Sequence, residues 1–183
     1  VSIHAGPMLT PRPLLLVVAA SLAALAVACS APQTQPDASA DTTLVATFDR
    51  MPSGVAVVDE RVFLAFPRWV EPGDFTVAEL VGGELVPLAL EQSLDAGPEA
   101  LVSVNGITVD DRGRLWILDN GRVDMGPAAP GAPKLVVWDI ASGRELWRHV
   151  FDEEIVDPQS MFLNDLVVVE DDGAVFITAT GMG

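Results

Sequence analysis

The sequence predicts an all-β fold built from the blades of a β-propeller. The first observation is a hairpin at residues 104–121, where two runs of β-branched and aromatic residues flank the acidic turn Asp110–Gly113. The second is that this pattern returns on either side, so that Phe63, Trp116 and Phe176 recur at spacings of 53 and 60 residues. Hairpin repeats of this period are typical of propeller blades, which contain roughly 40–50 residues each.

The length of the chain indicates a partial propeller. About two and a half of these repeats fit into 183 residues, whereas a propeller closes with roughly four to eight blades. The third repeat is still turning towards its outer strands where the sequence stops at Gly183. We therefore expect a partial β-propeller domain over residues 44–183, truncated at its C-terminus, with an unpaired sheet edge that favours association.

The first repeat predicts one blade over residues 54–90, with a hairpin turn at Gly82-Gly83. Residues 44–48 (Leu-Val-Ala-Thr-Phe) have the composition of a further strand, which we interpret as the outer strand that closes the ring. Residues 91–99 are polar and contain Gly and Pro, and they predict a loop.

The second repeat opens with the hairpin of residues 104–121 and continues into a Pro- and Gly-rich loop at 122–133. Long loops of this kind are frequent functional sites. Residues 134–140 and 145–151 predict the outer hairpin of this blade, and residues 164–178 predict the first hairpin of the third.

Residues 1–28 have the pattern of a leader and an export signal, with Met8 as the start, Arg12 as the positive region and an apolar run behind it. The run ends in Leu25-Ala-Val-Ala-Cys29, which is similar to a bacterial lipobox whose cysteine becomes lipidated; the alternative is an ordinary secretory signal with an incidental cysteine. Residues 29–43 then predict the lipid-anchored Cys29 and a flexible tether. We expect an exported protein of the bacterial cell envelope that touches the membrane through its lipid anchor only.

The charge balance excludes some partners. The chain has 26 acidic and 10 basic residues and a formal net charge of −16, whereas nucleic-acid binding requires a basic surface. The acidity fits either a well-solvated surface or a channel that attracts cations and amines. We expect a monomer when the protein is full length.

Few residues are available for catalysis or cofactor binding. Cys29 is the only cysteine, and the only histidines are His4 in the leader and His149 on an outer strand. No glycine-rich phosphate loop precedes a helix, so we expect no nucleotide cofactor. The residues that start the inner strands should line the propeller channel instead, and these are Ser53, Asn105 and Asn164-Asp165.

Several motifs in order resemble the major royal jelly / Yellow protein family. They are Arg61-Val-Phe-Leu-Ala-Phe-Pro-Arg-Trp69, Gly113-Arg-Leu-Trp-Ile-Leu-Asp-Asn-Gly121, Pro133-Lys-Leu-Val-Val-Trp-Asp-Ile140 and Leu163-Asn-Asp-Leu-Val-Val-Val169. The resemblance implies a secreted, six-bladed propeller of which this chain is about the N-terminal half. Some relatives are linked to dopachrome conversion, others bind biogenic amines in the channel, and bacterial relatives are often labelled dopachrome-tautomerase-related. One departure is Ala179, where the family usually has Asp.

On this basis we expect a lipoprotein that binds a small amine or phenolic ligand in the channel, without a cofactor. The candidate ligand-binding residues are Asn105, Asn164, Arg68 and Trp69. Simpler roles for the same residues are turn capping by the Asn side chains, an ion pair for the Arg and packing between blades for the Trp.

Two enzymatic alternatives and a non-catalytic one remain open. A dopachrome-tautomerase-like isomerase needs an acid/base pair, for which Asp119 and Asp165 are the candidates. A metal-dependent, gluconolactonase-like hydrolase would hold a divalent ion such as Ca²⁺ through Asn105 and Asn164, but Ser53 stands where those lactonases have Glu. The third class is a scaffold for protein partners at the cell surface.

Overall fold

The computed structural model describes residues 43–70, 73–94, 97–171 and 173–181, and the predicted signal, Cys29 and most of the tether lie outside them. The described residues form ten strands and no helix. The strands are β1 (Gly54–Val58), β2 (Arg61–Ala65), β3 (Val77–Val81), β4 (Glu84–Pro87), β5 (Val104–Val109), β6 (Arg114–Asp119), β7 (Lys134–Asp139), β8 (Arg144–Val150), β9 (Met161–Val169) and β10 (Ala174–Gly181). No helix in this part of the chain is long and apolar enough to cross a membrane.

The strands form two four-stranded antiparallel sheets and one hairpin. The first sheet has the order β1-β2-β3-β4, the second β5-β6-β7-β8, and β9 pairs with β10. Each four-stranded sheet is a meander in which consecutive strands are neighbours, as in a propeller blade. The prediction of an all-β partial propeller with about two and a half blades is confirmed.

The second strand of each complete blade packs deep in the molecule, because its apolar side chains point to both faces of the sheet. Phe63 and Leu64 of β2 and Ile117 and Leu118 of β6 are adjacent residues that point to opposite faces, and all four are buried. Between the first and second blades, Phe63 meets the ring of Trp138 edge-on at 6.3 Å. A second cluster forms between the second blade and β9-β10 and contains Leu118, Leu135, Leu163 and Leu166.

The first strands of the three repeats approach one another closely. A Cβ atom at Gly106 of β5 would lie 3.1 Å from the Cα of Asp165 on β9. A Cβ atom at Gly54 of β1 would lie 3.3 Å from the carbonyl oxygen of Asn105. Glycine is therefore needed where the inner strands converge, and this convergence brings the starts of β1, β5 and β9 together.

One predicted strand does not form among the described residues, and its predicted role in closing the ring stays a prediction. Residues 44–48 form no strand, and β1 begins only at Gly54. An extended segment becomes a strand only when a neighbour accepts its backbone hydrogen bonds, and residues 44–48 pair with none of the strands described. Phe48 instead packs its ring edge-on against Phe66 at 5.7 Å.

Candidate functional site

A cleft of about 360 Å³ lies where the three inner strands begin. It unites most of the residues that the sequence predicted for the channel. The lining residues are Ser53, Gly54, Val55, Trp69, Asn105, Gly106, Ile107, Asn164 and Asp165. We refer to this cavity as the inner cleft.

Matching β-bulges place the two asparagines in the inner cleft. On β5, Val104 pairs with Asp119 and Gly106 with Leu118, so that Asn105 is the extra residue between them. On β9, Leu163 pairs with Ala179 and Asp165 with Thr178, so that Asn164 is the extra residue. A bulge releases one residue from the regular pleat and redirects its side chain, and bulges are common beside functional sites.

The side chain of Asn105 is only half satisfied. Its Nδ2 donates to the carbonyl oxygens of Asn164 at 2.8 Å and Leu163 at 3.2 Å. These two bonds orient the amide, and its Oδ1 has no hydrogen-bond partner among the described residues although the residue is 7% exposed. Buried polar atoms are nearly always paired, so an orphaned acceptor in a cleft points to a ligand or to water.

Further hydrogen bonds join the start of β1 to β5 and hold the β9-β10 hairpin around the cleft. The Ser53 hydroxyl donates to the carbonyl oxygen of Asn105 at 2.8 Å. The Asn164 amide donates to the Phe162 carbonyl oxygen and to the Thr180 hydroxyl, both at 3.3 Å. The polar side chains that line the cleft therefore also hold its walls together.

Asp165 is the charged residue of the inner cleft. Its side chain is exposed, and its Oδ1 accepts a hydrogen bond from the backbone N–H of Leu166 at 2.8 Å. The other described residues that line the cleft are neutral. The cleft therefore offers one negative charge and no compensating cation from its own lining.

Trp69 forms the aromatic wall of the inner cleft. The residue is half-buried, and its ring lies 5.8 Å from the ring of Phe162 at a tilt of 50°. Its indole Nε1–H is buried without a hydrogen-bond acceptor among the described residues. Two residues of the cleft lining, Asn105 and Trp69, thus each have a buried side-chain atom without a hydrogen-bond partner among the described residues.

Asp119 lies in a different environment, inside the second blade. It is fully buried, and both carboxylate oxygens are used. It accepts hydrogen bonds from the backbone N–H groups of Val102 at 2.7 Å, Ser103 at 2.9 Å and Gly121 at 2.9 Å, and from Lys134 Nζ at 3.0 Å. The structure does not bring Asp119 to the inner cleft, and no lone pair faces solvent.

Arg68 is likewise not part of the cleft lining. The residue is 1% exposed, and its guanidinium donates to backbone carbonyl oxygens, among them Gly73 at 3.0 Å and Ser93 at 3.2 Å. Burial lowers its pKa from the ordinary guanidinium value, the nearby charge of Arg50 acts in the same direction, and Asp119 and Asp74 oppose this. Its neighbour Trp69 reaches the cleft instead.

Arg122 was not predicted as a functional residue from the sequence. It is also 1% exposed, and its guanidinium donates to the carbonyl oxygens of Gly126, Pro158 and Met161. Burial lowers its pKa, and the charge of Asp157 partly offsets that effect. The signal that could have revealed it is its place in the repeat, because Arg68 and Arg122 each stand three residues after the end of β2 or β6.

The donor set of the inner cleft is poor in charge for a divalent metal. Within the described ranges, no group of three or more His, Cys, Asp or Glu side chains could hold a metal ion. The cleft offers Asp165 as a carboxylate and the amide oxygen of Asn105 as a neutral ligand, whereas Ca²⁺ sites use six to eight oxygens and several carboxylates. The lactonase-like alternative therefore stays a prediction, and the single carboxylate of the cleft does not favour it.

The blades and the cleft define the chain as part of a β-propeller with a polar site at its inner strands. The family model described as Major royal jelly protein matches residues 102–181. Protein yellow of Drosophila erecta is 29% identical over 148 residues, covering 73% of this chain and 27% of that protein. The Yellow-related salivary protein LJM17 of Lutzomyia longipalpis is 31% identical over 130 residues, covering 61% of this chain and 32% of that protein.

These matches support membership in the major royal jelly / Yellow family. The chain spans about a quarter to a third of the length of these relatives. Among solved structures, the computationally designed Ika4 protein aligns over 78% of this chain and 99% of its own length, with 13% identity and a TM-score of 0.29, which is too low to inform the fold.

Proposed function

We propose that this protein is an exported propeller protein that binds a small organic cation with an aromatic or phenolic ring in the inner cleft. The observation that supports this most is the convergence of Trp69, Asn105, Asn164 and Asp165 on one cavity. Two side-chain atoms of these residues, Asn105 Oδ1 and Trp69 Nε1, have no protein partner among the described residues.

The chemistry of the lining favours a cation. Asp165 provides a negative charge, and Asn105 Oδ1 provides a second acceptor, so that an ammonium group could donate to both. The aromatic face of Trp69 suits a cation or a stacked ring. The net charge of −16 adds a long-range attraction for cations.

Calorimetry on the full-length gene product without residues 1–28 tests this proposal. The probes are an aromatic amine and its deaminated, neutral analogue. We expect the amine to bind more tightly, and Asp165→Asn to weaken its binding by about tenfold or more, because a hydrogen bond to a charged group is worth about 1.5–3 kcal/mol. The matched control is Asp139→Asn, an exposed carboxylate on the outer hairpin whose Oδ2 accepts from Ser142.

The result that would overturn the proposal is equal binding of the amine and its neutral analogue, or an equal loss in both variants. A dopachrome-tautomerase-like isomerase is the second candidate, because Asp165 is an exposed carboxylate inside the cleft whereas Asp119 is not. If the protein is such an isomerase, the wild type should convert dopachrome and Asp165→Asn should abolish this activity.

Export and anchoring form a separate part of the proposal, supported by the signal pattern that ends at Cys29. Metabolic labelling of bacterial cells with a radioactive fatty acid should place label on the wild-type protein and not on Cys29→Ser. Secretion of the unlabelled wild-type protein would support an ordinary signal peptide instead.

A further inference from the structure

The two buried arginines of the first and second blades perform the same task in successive repeats. Arg68 follows β2 and Arg122 follows β6, and both are 1% exposed. Each reaches forward to the segment that leads into the first strand of the next blade. We call residues 101–103 before β5 and residues 158–161 at the start of β9 the lead-in segments.

The two arginines share one equivalent acceptor, the carbonyl oxygen three residues before each asparagine. Arg68 Nη1 donates to the carbonyl oxygen of Val102 and lies 3.5 Å from that of Leu101. Arg122 donates to the carbonyl oxygen of Met161 through Nε at 3.1 Å and Nη2 at 2.8 Å. Val102 stands three residues before Asn105, and Met161 stands three residues before Asn164.

We propose that Arg68 and Arg122 are positioning residues that set the places of Asn105 and Asn164 in the inner cleft. Both asparagines are bulge residues, so their neighbours in the sheet do not pair with them directly. Their placement then depends on the backbone just before them, and this is the backbone that each arginine holds.

The chemistry of arginine suits this task. A guanidinium has five N–H donors in a rigid plane and stays charged when buried. Arg122 uses this fork on three different carbonyl oxygens, from Gly126 in its own loop to Pro158 and Met161 in the lead-in segment. Lysine has one flexible ammonium group and cannot reach all three carbonyl oxygens. Arg→Lys therefore keeps the positive charge and removes the planar fork of N–H donors.

The chain provides a matched control in Arg61. It also joins the first two blades, because its Nη1 donates to the carbonyl oxygen of Ile140 at 2.9 Å while its fork pairs with Glu79. Arg61 begins β2, whereas Arg68 follows the end of that strand. It therefore lies at the end of the blade opposite the inner cleft.

The first test measures ligand affinity and rests on the proposed function. Arg68→Lys, Arg122→Lys and Arg61→Lys are compared by calorimetry in the full-length gene product, at a temperature where thermal unfolding shows each variant to be folded. We expect the first two to weaken binding of the aromatic amine by about tenfold, the scale seen when residues that orient a site are lost. Arg61→Lys should stay within about twofold.

The second test needs no ligand, and it separates failure of this inference from failure of the proposed function. The side-chain amide signals of Asn105 and Asn164 are followed by NMR in the same variants. We expect Arg68→Lys to shift the Asn105 signals, Arg122→Lys to shift the Asn164 signals, and Arg61→Lys to move neither. Unchanged amide signals in the first two variants, or equal shifts in all three, would overturn the inference.

Discussion

The interior of the second blade and the inner cleft use the same residue types in opposite ways. In the interior, Asp119 accepts four hydrogen bonds, three from backbone N–H groups and one from Lys134, and both side chains are fully buried. In the cleft, Asp165 is exposed, and its carboxylate accepts one bond, from Leu166. Asn105 there has an acceptor without a partner among the described residues.

This difference separates residues that hold the fold from residues that are available to a ligand. A carboxylate whose lone pairs are all used by the protein has no capacity left for a substrate, and moving it breaks a buried network. A carboxylate with free lone pairs at a cavity adds little to stability and can bind a partner. The predictions below test this contrast.

The largest effect is expected from Asp119→Ala. The change leaves the buried ammonium of Lys134 without its carboxylate and three backbone N–H groups without an acceptor, and breaking a buried ion pair costs about 3–5 kcal/mol. Urea denaturation measures the free energy of unfolding. Asp139→Ala, at an exposed turn, is the control and should have a far smaller effect; equal losses would contradict the contrast.

Asp110→Asn should have the next largest effect, and it should depend on pH. Burial alone would raise the pKa of Asp110, but hydrogen bonds from the Trp116 indole, the Arg114 backbone and side chain and the Arg112 backbone outweigh it, and the pKa is lowered. The carboxylate therefore stabilises the fold above the unfolded pKa of about 3.9, and this contribution is lost as the pH falls through the lower folded pKa.

At pH 7 the loss in Asp110→Asn should be about 1.5–3 kcal/mol, the usual worth of a hydrogen bond to a charged group. Urea denaturation of both proteins between pH 7 and pH 2 measures it. The wild type should lose more stability on acidification than the variant. Parallel pH profiles would contradict this prediction, because they would mean that the pKa of Asp110 is the same in the folded and unfolded states.

Gly106→Ala probes the cleft walls. The added methyl group would lie 3.1 Å from the Cα of Asp165 and from Leu166 Cδ2, so that β5 and β9 must separate slightly. We expect a loss of about 1–2 kcal/mol, typical of mild overpacking. Gly97→Ala is the control, because no atom of the described residues lies within 4 Å of its added methyl group; similar unfolding energies for both variants would contradict the close approach.

The smallest effect on stability is expected from Asp165→Asn. An exposed side chain with one short-range hydrogen bond should change the free energy of unfolding by no more than about 0.5 kcal/mol. The same variant is expected to lose ligand affinity, so that stability and binding respond separately. A large loss of stability would place Asp165 with Asp119 among the residues that hold the fold.

The sequence predicted the strands because their signals are local. The alternation of apolar residues and the Gly- and Asp-containing turns placed β1 to β10 within a few residues of their observed bounds, whereas residues 44–48 form no strand among the described residues. The repeat also predicted that Ser53, Asn105 and Asn164-Asp165 stand at the starts of inner strands, and the structure groups them in one cleft.

The sequence by itself therefore determined the fold class, the repeat and the ends of the strands from which a site could be formed. Only the tertiary structure decided which polar side chains have all their hydrogen-bonding groups paired within the protein. Asp119 and Asp165 look alike in sequence, and their roles separate because Val102, Ser103 and Lys134 converge on one of them and not on the other. Burial and hydrogen-bond saturation depend on neighbours distant in the chain, and a local pattern does not encode them.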